Sequence, residues 1–227
     1  MRTSFDNRSA YLSSGTRFFI NKYMASKKAF SKEIVIYGGG FNPPHIGHAV
    51  AIENIIRLFP CDEIWVMPSA DRHDKTMAVS GEDRLAMLQI MIDKAFPDSK
   101  IPIIVSDFEI RRGVLTTTLE TKEQLERIYP THDFYFQFGT DVVGDIRDKW
   151  FKGRELYETA RFIVLRRSGS PIPKNLPKNS VLLIDKQVIS TDVSSTFIRR
   201  LLTRGFSGMP YVTRSVAEYI KERNLYK

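Results

Sequence analysis

A chain of 227 residues with 42% hydrophobic and 26% charged side chains has globular proportions, which excludes disordered and collagen-like classes. No apolar run approaches the roughly 18 residues of a membrane-spanning helix, and the single cysteine, Cys61, permits neither an internal disulfide nor a cysteine-built zinc site, which suits a reducing, cytoplasmic setting. The formal net charge of +8 gathers at the start: residues 1–32 hold seven basic residues and one acid, so the other 195 carry only +2 and give no reason to expect nucleic acid as a partner.

The chain reads as a basic extension over 1–32 followed by one domain over 33–227. The extension contains Ser and Arg, is poor in acids, and lacks the apolar core of a secretory signal. A transit peptide, an anchor for polyanions and a solubilising tail all fit it, and Met24 offers an alternative start. Organellar targeting therefore stays open beside the cytoplasmic reading.

From Glu33 onward, periodicity predicts strands and helices in alternation. Strand 33–37 (EIVIY) leads to a helix over 48–59 that Pro60 ends. Strand 63–69 precedes a helix over 80–96, opened by Ser80 as N-cap. Strand 101–110, helix 117–129 and strand 133–141 follow, then a short helical stretch within 144–160. Strands 161–167 and 180–186 flank a turn-rich loop, and helices 194–205 and 212–226 close the chain. Such alternation makes βαβ units, hence an α/β, Rossmann-like doubly wound parallel sheet with helices on both faces. Ligands of such sheets bind beyond the C-terminal strand ends.

Unusual residues gather at those ends. Gly38, Gly39 and Gly40 let backbone amides approach phosphates and let the chain turn through positive φ. Pro43 and Pro44 stiffen the entry to a helix whose first turn carries His45 and His48, side by side at its positive end. That field lowers their pKa while a phosphate raises it, so the expected role is hydrogen-bond donation. Ser194, Ser195 and Thr196 precede another helix, with Arg199 one turn in to clamp a phosphate. Gly139 permits close approach, Asp141 suits ribose hydroxyls or a helix cap, and Trp150 suits a core or a stacking surface. A zinc site is disfavoured, because two histidines three apart are an incomplete ligand set.

In combination, GGGFNPPHIGH (38–48) and SSTFIR (194–199) resemble the paired signatures of the nucleotidyltransferase superfamily of the H-x-G-H type. FGTD (138–141), the following KW, FIVLRR (162–167) and LTTTLETKEQL (115–125) are similar to the nicotinate/nicotinamide-mononucleotide adenylyltransferases within it. The resemblance runs from about Glu33 onward and leaves the extension without a counterpart. It implies that Gly38, Gly39, Gly40, Phe41, His45 and His48 hold ATP phosphates, with Ser194, Ser195, Thr196 and Arg199 around the β- and γ-phosphates. Gly139 and Asp141 would contact ribose, Trp150 would stack on the pyridine ring, Thr118 would help bind the mononucleotide, and Lys75 matches the family's lysine after the second strand.

The implied reaction is direct attack of a pyridine mononucleotide's phosphate on the α-phosphorus of ATP, with Mg²⁺ carried by ATP and no protein base or nucleophile. Adenylyl transfer to phosphopantetheine and a non-catalytic nucleotide-binding module are the alternatives. A class I aminoacyl-tRNA synthetase is disfavoured, since the chain has no KMSKS segment. The motifs leave the nicotinate or nicotinamide preference open and are compatible with a homo-oligomer.

Overall fold

The computed structural model describes residues 31–70, 77, 79–114, 116–184 and 187–227. Six strands, β1 (Glu33–Gly39), β2 (Glu63–Pro68), β3 (Ile103–Val105), β4 (Asp133–Gly139), β5 (Arg161–Leu165) and β6 (Ser180–Leu183), make one sheet in the order β3-β2-β1-β4-β5-β6. Every neighbouring pair is parallel.

Period-two alternation along β1 divides the core. Val35 faces one layer with Ile52, Ile55 and Leu58 of helix α1 (Ile46–Leu58), Met87, Leu88 and Met91 of α2 (Gly81–Ala95), Ile198 of α7 (Ser195–Leu202) and Val216 and Ile220 of α8 (Arg214–Glu222). Ile34 and Ile36 face the other, with Leu119 and Leu125 of α4 (Thr118–Ile128), Val143 and Ile146 of α5 (Thr140–Lys149) and Leu156 of α6 (Gly153–Thr159). Full burial stabilises by about 1.5–3 kcal/mol for each such Ile or Leu. No helix among the described residues is long and apolar enough to cross a membrane.

Two predicted elements change character. The strand expected over 101–110 is β only at Ile103–Val105 and then becomes the short helix α3 (Phe108–Arg112). Glu109 in its first turn, Arg111 and Arg112 in its last, and Gly113 at φ 62° as a left-handed cap are helix signals that the apolar run masked. The helical stretch within 144–160 is two helices, α5 and α6. They are joined at Trp150–Lys152, where Lys152 is left-handed at φ 51°. Gly153 is required there, since a Cβ would sit 1.8 Å from the Ile146 carbonyl oxygen.

The site is opened by a parting of strands. β1 pairs with β4 only as far as Ile36 opposite Phe136. Beyond it, β1 stays with β2 through Gly39 opposite Pro68, while β4 stays with β5 through Gly139 opposite Leu165. The topology reverses between β1 and β4, so the crevice lies at the switch point of the sheet.

Candidate active site

Two cavities meet in this crevice. One, of about 300 Å³, is walled by His45, His48, Arg167, Thr191, Ser194 and Ser195. The other, of about 460 Å³, is walled by Thr116, Thr117, Thr118, Lys149, Trp150 and Phe151. Gly38, Gly39, Gln137 and Phe138 line both, so the parted ends of β1 and β4 form the common mouth. A Cβ built on Gly38 meets no atom within 4 Å, so this residue leaves open space where the cavities join.

The histidines are fixed by the start of α1. His45 is its N-cap, with Nδ1 accepting the Gly47 amide proton at 3.1 Å, and Nδ1 of His48 accepts the His45 amide proton at 3.0 Å. Both neutral rings therefore carry their proton on Nε2, the donor each offers to a ligand. The glycine between them has a steric reason: a Cβ at Gly47 would lie 2.9 Å from Cε1 of His45. The two rings lie 3.8 Å apart, and Phe41 packs on His48 at 4.7 Å.

Burial, then the Arg167 charge, lowers the pKa of His45 from 6.5 to about 4. Burial, His45 and Arg167 hold His48 well below its ordinary value as well. Desolvation acts in the same direction as the helix field, and both rings are neutral donors at pH 7. Between pH 6.5 and 4 the unfolded chain binds more protons than the folded one. Stability tied to the neutral His45 is therefore complete above pH 6.5 and lost as pH falls toward 4, to the extent of roughly 3 kcal/mol. Urea unfolding of the ligand-free protein at stepped pH checks this. Its midpoint is expected to fall more steeply over that range than in His45→Asn, which keeps an N-cap but has no titrating ring.

The loop entering α1 is held by side chains far along the chain. Arg84, fully buried in α2, donates from Nη1 to the carbonyls of Gly40 and Ser69 at 3.0 and 2.8 Å. Arg199 donates to the Asn42 carbonyl at 2.7 Å and to the Thr196 hydroxyl at 3.1 Å. The Ser195 hydroxyl donates to the Pro43 carbonyl at 2.8 Å, and Ser194 caps α7 by accepting the Phe197 amide proton. The left-handed residue in this loop is Phe41, at φ 46°, and not one of the three glycines expected to supply positive φ. Phe41 instead fills the space that a side chain on Gly39 would take, its ring lying 3.3 Å from a Cβ built there.

The predicted site residues divide between the two cavities. His45, His48, Ser194, Ser195 and Gly139 line the first, Gly40, Thr118 and Trp150 the second, and Gly38 and Gly39 both. Trp150 is half-buried and meets Phe138 edge-on at 5.5 Å, so one face packs in the core while the residue still lines the cavity. Thr196 and Arg199 line neither cavity and brace the loop. Asp141 sits in the first turn of α5 and pairs with Nε of Arg167 at 3.4 Å, with Gly139 as the N-cap. Lys75 lies outside the described residues, as do residues 1–30 of the extension.

Sequence reasoning missed four contributors. Arg167 brings positive charge to the first cavity, and its signal was a basic pair at the end of β5. Gln137 is a buried amide at the common mouth whose Oε1 has no hydrogen-bond partner among the described residues. Asn54 exchanges two hydrogen bonds with the Ile189 backbone, of 2.7 and 3.1 Å, and so holds the wall leading to Ser194 against α1. Arg84 is the fourth, and nothing in an ordinary amphipathic pattern marks it.

Comparison with known proteins agrees with this geometry. The model of a family described as cytidylyltransferase-like matches residues 36–201. A probable nicotinate-nucleotide adenylyltransferase of Oceanobacillus iheyensis is 33% identical over 196 residues, covering 86% of this chain and 97% of the relative. One of Lactiplantibacillus plantarum is 33% identical over 198 residues, covering 86% and 89%. Among solved structures, nicotinic acid mononucleotide adenylyltransferase of Plasmodium falciparum complexed with NaAD superposes with a TM-score of 0.74 at 27% identity, covering 86% of this chain and 97% of that one.

Proposed function

The chain belongs to the cytidylyltransferase-like family, and from that premise we propose that it works as a nicotinate-nucleotide adenylyltransferase, with residues 33–227 as its catalytic domain. It transfers the adenylyl group of ATP to nicotinate mononucleotide and releases pyrophosphate. The observation that carries this reading is the pair of cavities sharing one mouth at Gly38, Gly39, Gln137 and Phe138. ATP takes the histidine side, the mononucleotide takes the Trp150 side, and the reacting phosphates meet between them.

An oxygen of the mononucleotide 5′-phosphate forms a bond to the α-phosphorus, and the bond from that phosphorus to the bridging oxygen breaks, its electron pair leaving with pyrophosphate. The attacking oxygen is anionic at pH 7, so no general base is needed. His45 and His48 donate from Nε2 to ATP phosphate oxygens, while Arg167 supplies the full positive charge that neutral imidazoles cannot. Ser194, Ser195 and the amides opening α7 face the β- and γ-phosphates. Arg199 acts by holding Asn42 and Thr196 in place. Trp150 stacks on the pyridine ring, and Thr118 meets the mononucleotide. Magnesium enters as part of MgATP, whose phosphate oxygens are the ligands it favours.

Pyrophosphate release from MgATP tests the reading, with nicotinate mononucleotide, nicotinamide mononucleotide and phosphopantetheine supplied in parallel. Turnover is expected with the pyridine nucleotides and greatest with the nicotinate form. Turnover with phosphopantetheine alone would move the acceptor assignment, and none with any of the three would favour a nucleotide-binding module.

A further inference from the structure

The residues after α8 reach back to the loop that carries the histidines. Asn224 and Tyr226 both adopt left-handed backbone, at φ 58° and 61°, and the Leu225 amide donates to the Ile220 carbonyl at 3.0 Å. Asn tolerates this conformation as a helix-ending residue, whereas a bulky aromatic rarely adopts it. The outcome is that Tyr226 turns inward to 7% exposure and its hydroxyl donates to Oδ1 of Asn42 at 2.7 Å. Asn42 is itself buried at 6%, its carbonyl is the one Arg199 holds, and its amide nitrogen meets Sδ of Met77 at 3.6 Å.

The same end of α8 is anchored to α2. Tyr219 and Arg223 donate to Oδ1 of Asp83 at 2.8 and 3.3 Å, and Asp83 adjoins Arg84, which holds the Gly40 carbonyl. Gly40, Asn42 and Pro43, three of the five residues between β1 and the N-cap His45, are thus gripped from α2, α7 and the segment after α8. Burial raises the Tyr226 pKa, so the hydroxyl remains a donor throughout the working pH range, with Arg199, Arg84 and Asp83 as the charged groups facing it.

We propose that Tyr226 is a positioning residue for adenylyl transfer: through Asn42 it sets the loop that presents His45 and His48 to the ATP phosphates, and it leaves the mononucleotide cavity untouched. The inference rests on the adenylyltransferase reading. Neither Asn42 nor Tyr226 lines either cavity, but the loop they hold leads into His45 and His48, which line the first cavity and not the second, so the expected defect belongs to the ATP side.

Tyr226→Phe keeps the buried ring and removes one donor. Its kcat/KM for MgATP is expected to fall about tenfold, with KM for nicotinate mononucleotide within about twofold of wild type. Asn42→Ala should lose a similar factor, and the double variant should be no worse than Asn42→Ala alone, because both changes break one contact. Three results would overturn the proposal: a lower Tm with unchanged kcat/KM for MgATP, equal defects toward both substrates, or losses that multiply in the double variant. Calorimetric titration of MgATP into each protein separates this from the assignment of the acceptor. If wild type turns over no mononucleotide, the acceptor reading alone fails, and weaker MgATP binding by Tyr226→Phe still supports the clamp while equal binding sinks it.

Discussion

His48→Ala is expected to lower kcat by about 10²–10³-fold while KM for nicotinate mononucleotide stays close to wild type. The imidazole lines the first cavity and not the second, so its loss falls on the ATP phosphates. Nδ1 of His48 also accepts the His45 amide proton, so the alanine variant removes a cap as well as a donor. His48→Gln separates the two roles, since a glutamine at this helical position reaches back to the same amide but presents no imidazole. Recovered stability with uncorrected turnover assigns the rate loss to the Nε2 proton. Full activity in either variant would remove His48 from the chemistry, and His45 and Arg167 would then carry the ATP side.

Arg84→Met is expected to cost about 3 kcal/mol and to lower Tm by roughly 6–12 °C. The residue is wholly buried, and one guanidinium nitrogen serves two carbonyls, those of Gly40 and Ser69, where β1 and β2 end. Methionine refills much of the apolar volume but offers no donor, so two partly buried acceptors lose a charged partner. Arg84→Lys should recover only part of the loss: its ammonium carries the charge and enough donors for both oxygens, but on a shorter stem than the one that places Nη1 between them. Chemical denaturation with a constant m-value checks the stability change. An unchanged midpoint would show that the strand ends hold without the arginine.

These two residues differ in how visible they are along the chain. His48 stands in a stretch so unusual in composition that its function class shows before any fold is known. Arg84 sits in a run of ordinary helical pattern, and its partners lie 44 and 15 residues away. Tyr226 and Asn42 are 184 residues apart, and neither belongs to a motif that names the other. Ser195 and Arg199 lie between these cases. Their motif was legible, whereas the direction of their hydrogen bonds, toward the loop backbone at Pro43 and Asn42, was not.

The alternation of apolar runs determined the parallel sheet and its two helical layers, because a strand's period of two and a helix's period of 3.6 are local properties of the chain. The glycine, proline and histidine content of residues 38–48 likewise marked the end of β1 as the candidate phosphate site. Helix α3 escaped because it begins inside an apolar stretch that also suits a strand, while most of its charge and capping signals, Arg111, Arg112 and Gly113, lie just beyond that stretch. Only the tertiary structure decided that β1 and β4 part after Ile36 and Phe136, that the crevice becomes two cavities with one mouth, and that the histidines are desolvated enough to stay neutral. Parting, burial and the grip on the loop all arise from contacts between residues remote in sequence. Their geometry exists only once strand order and helix packing are set.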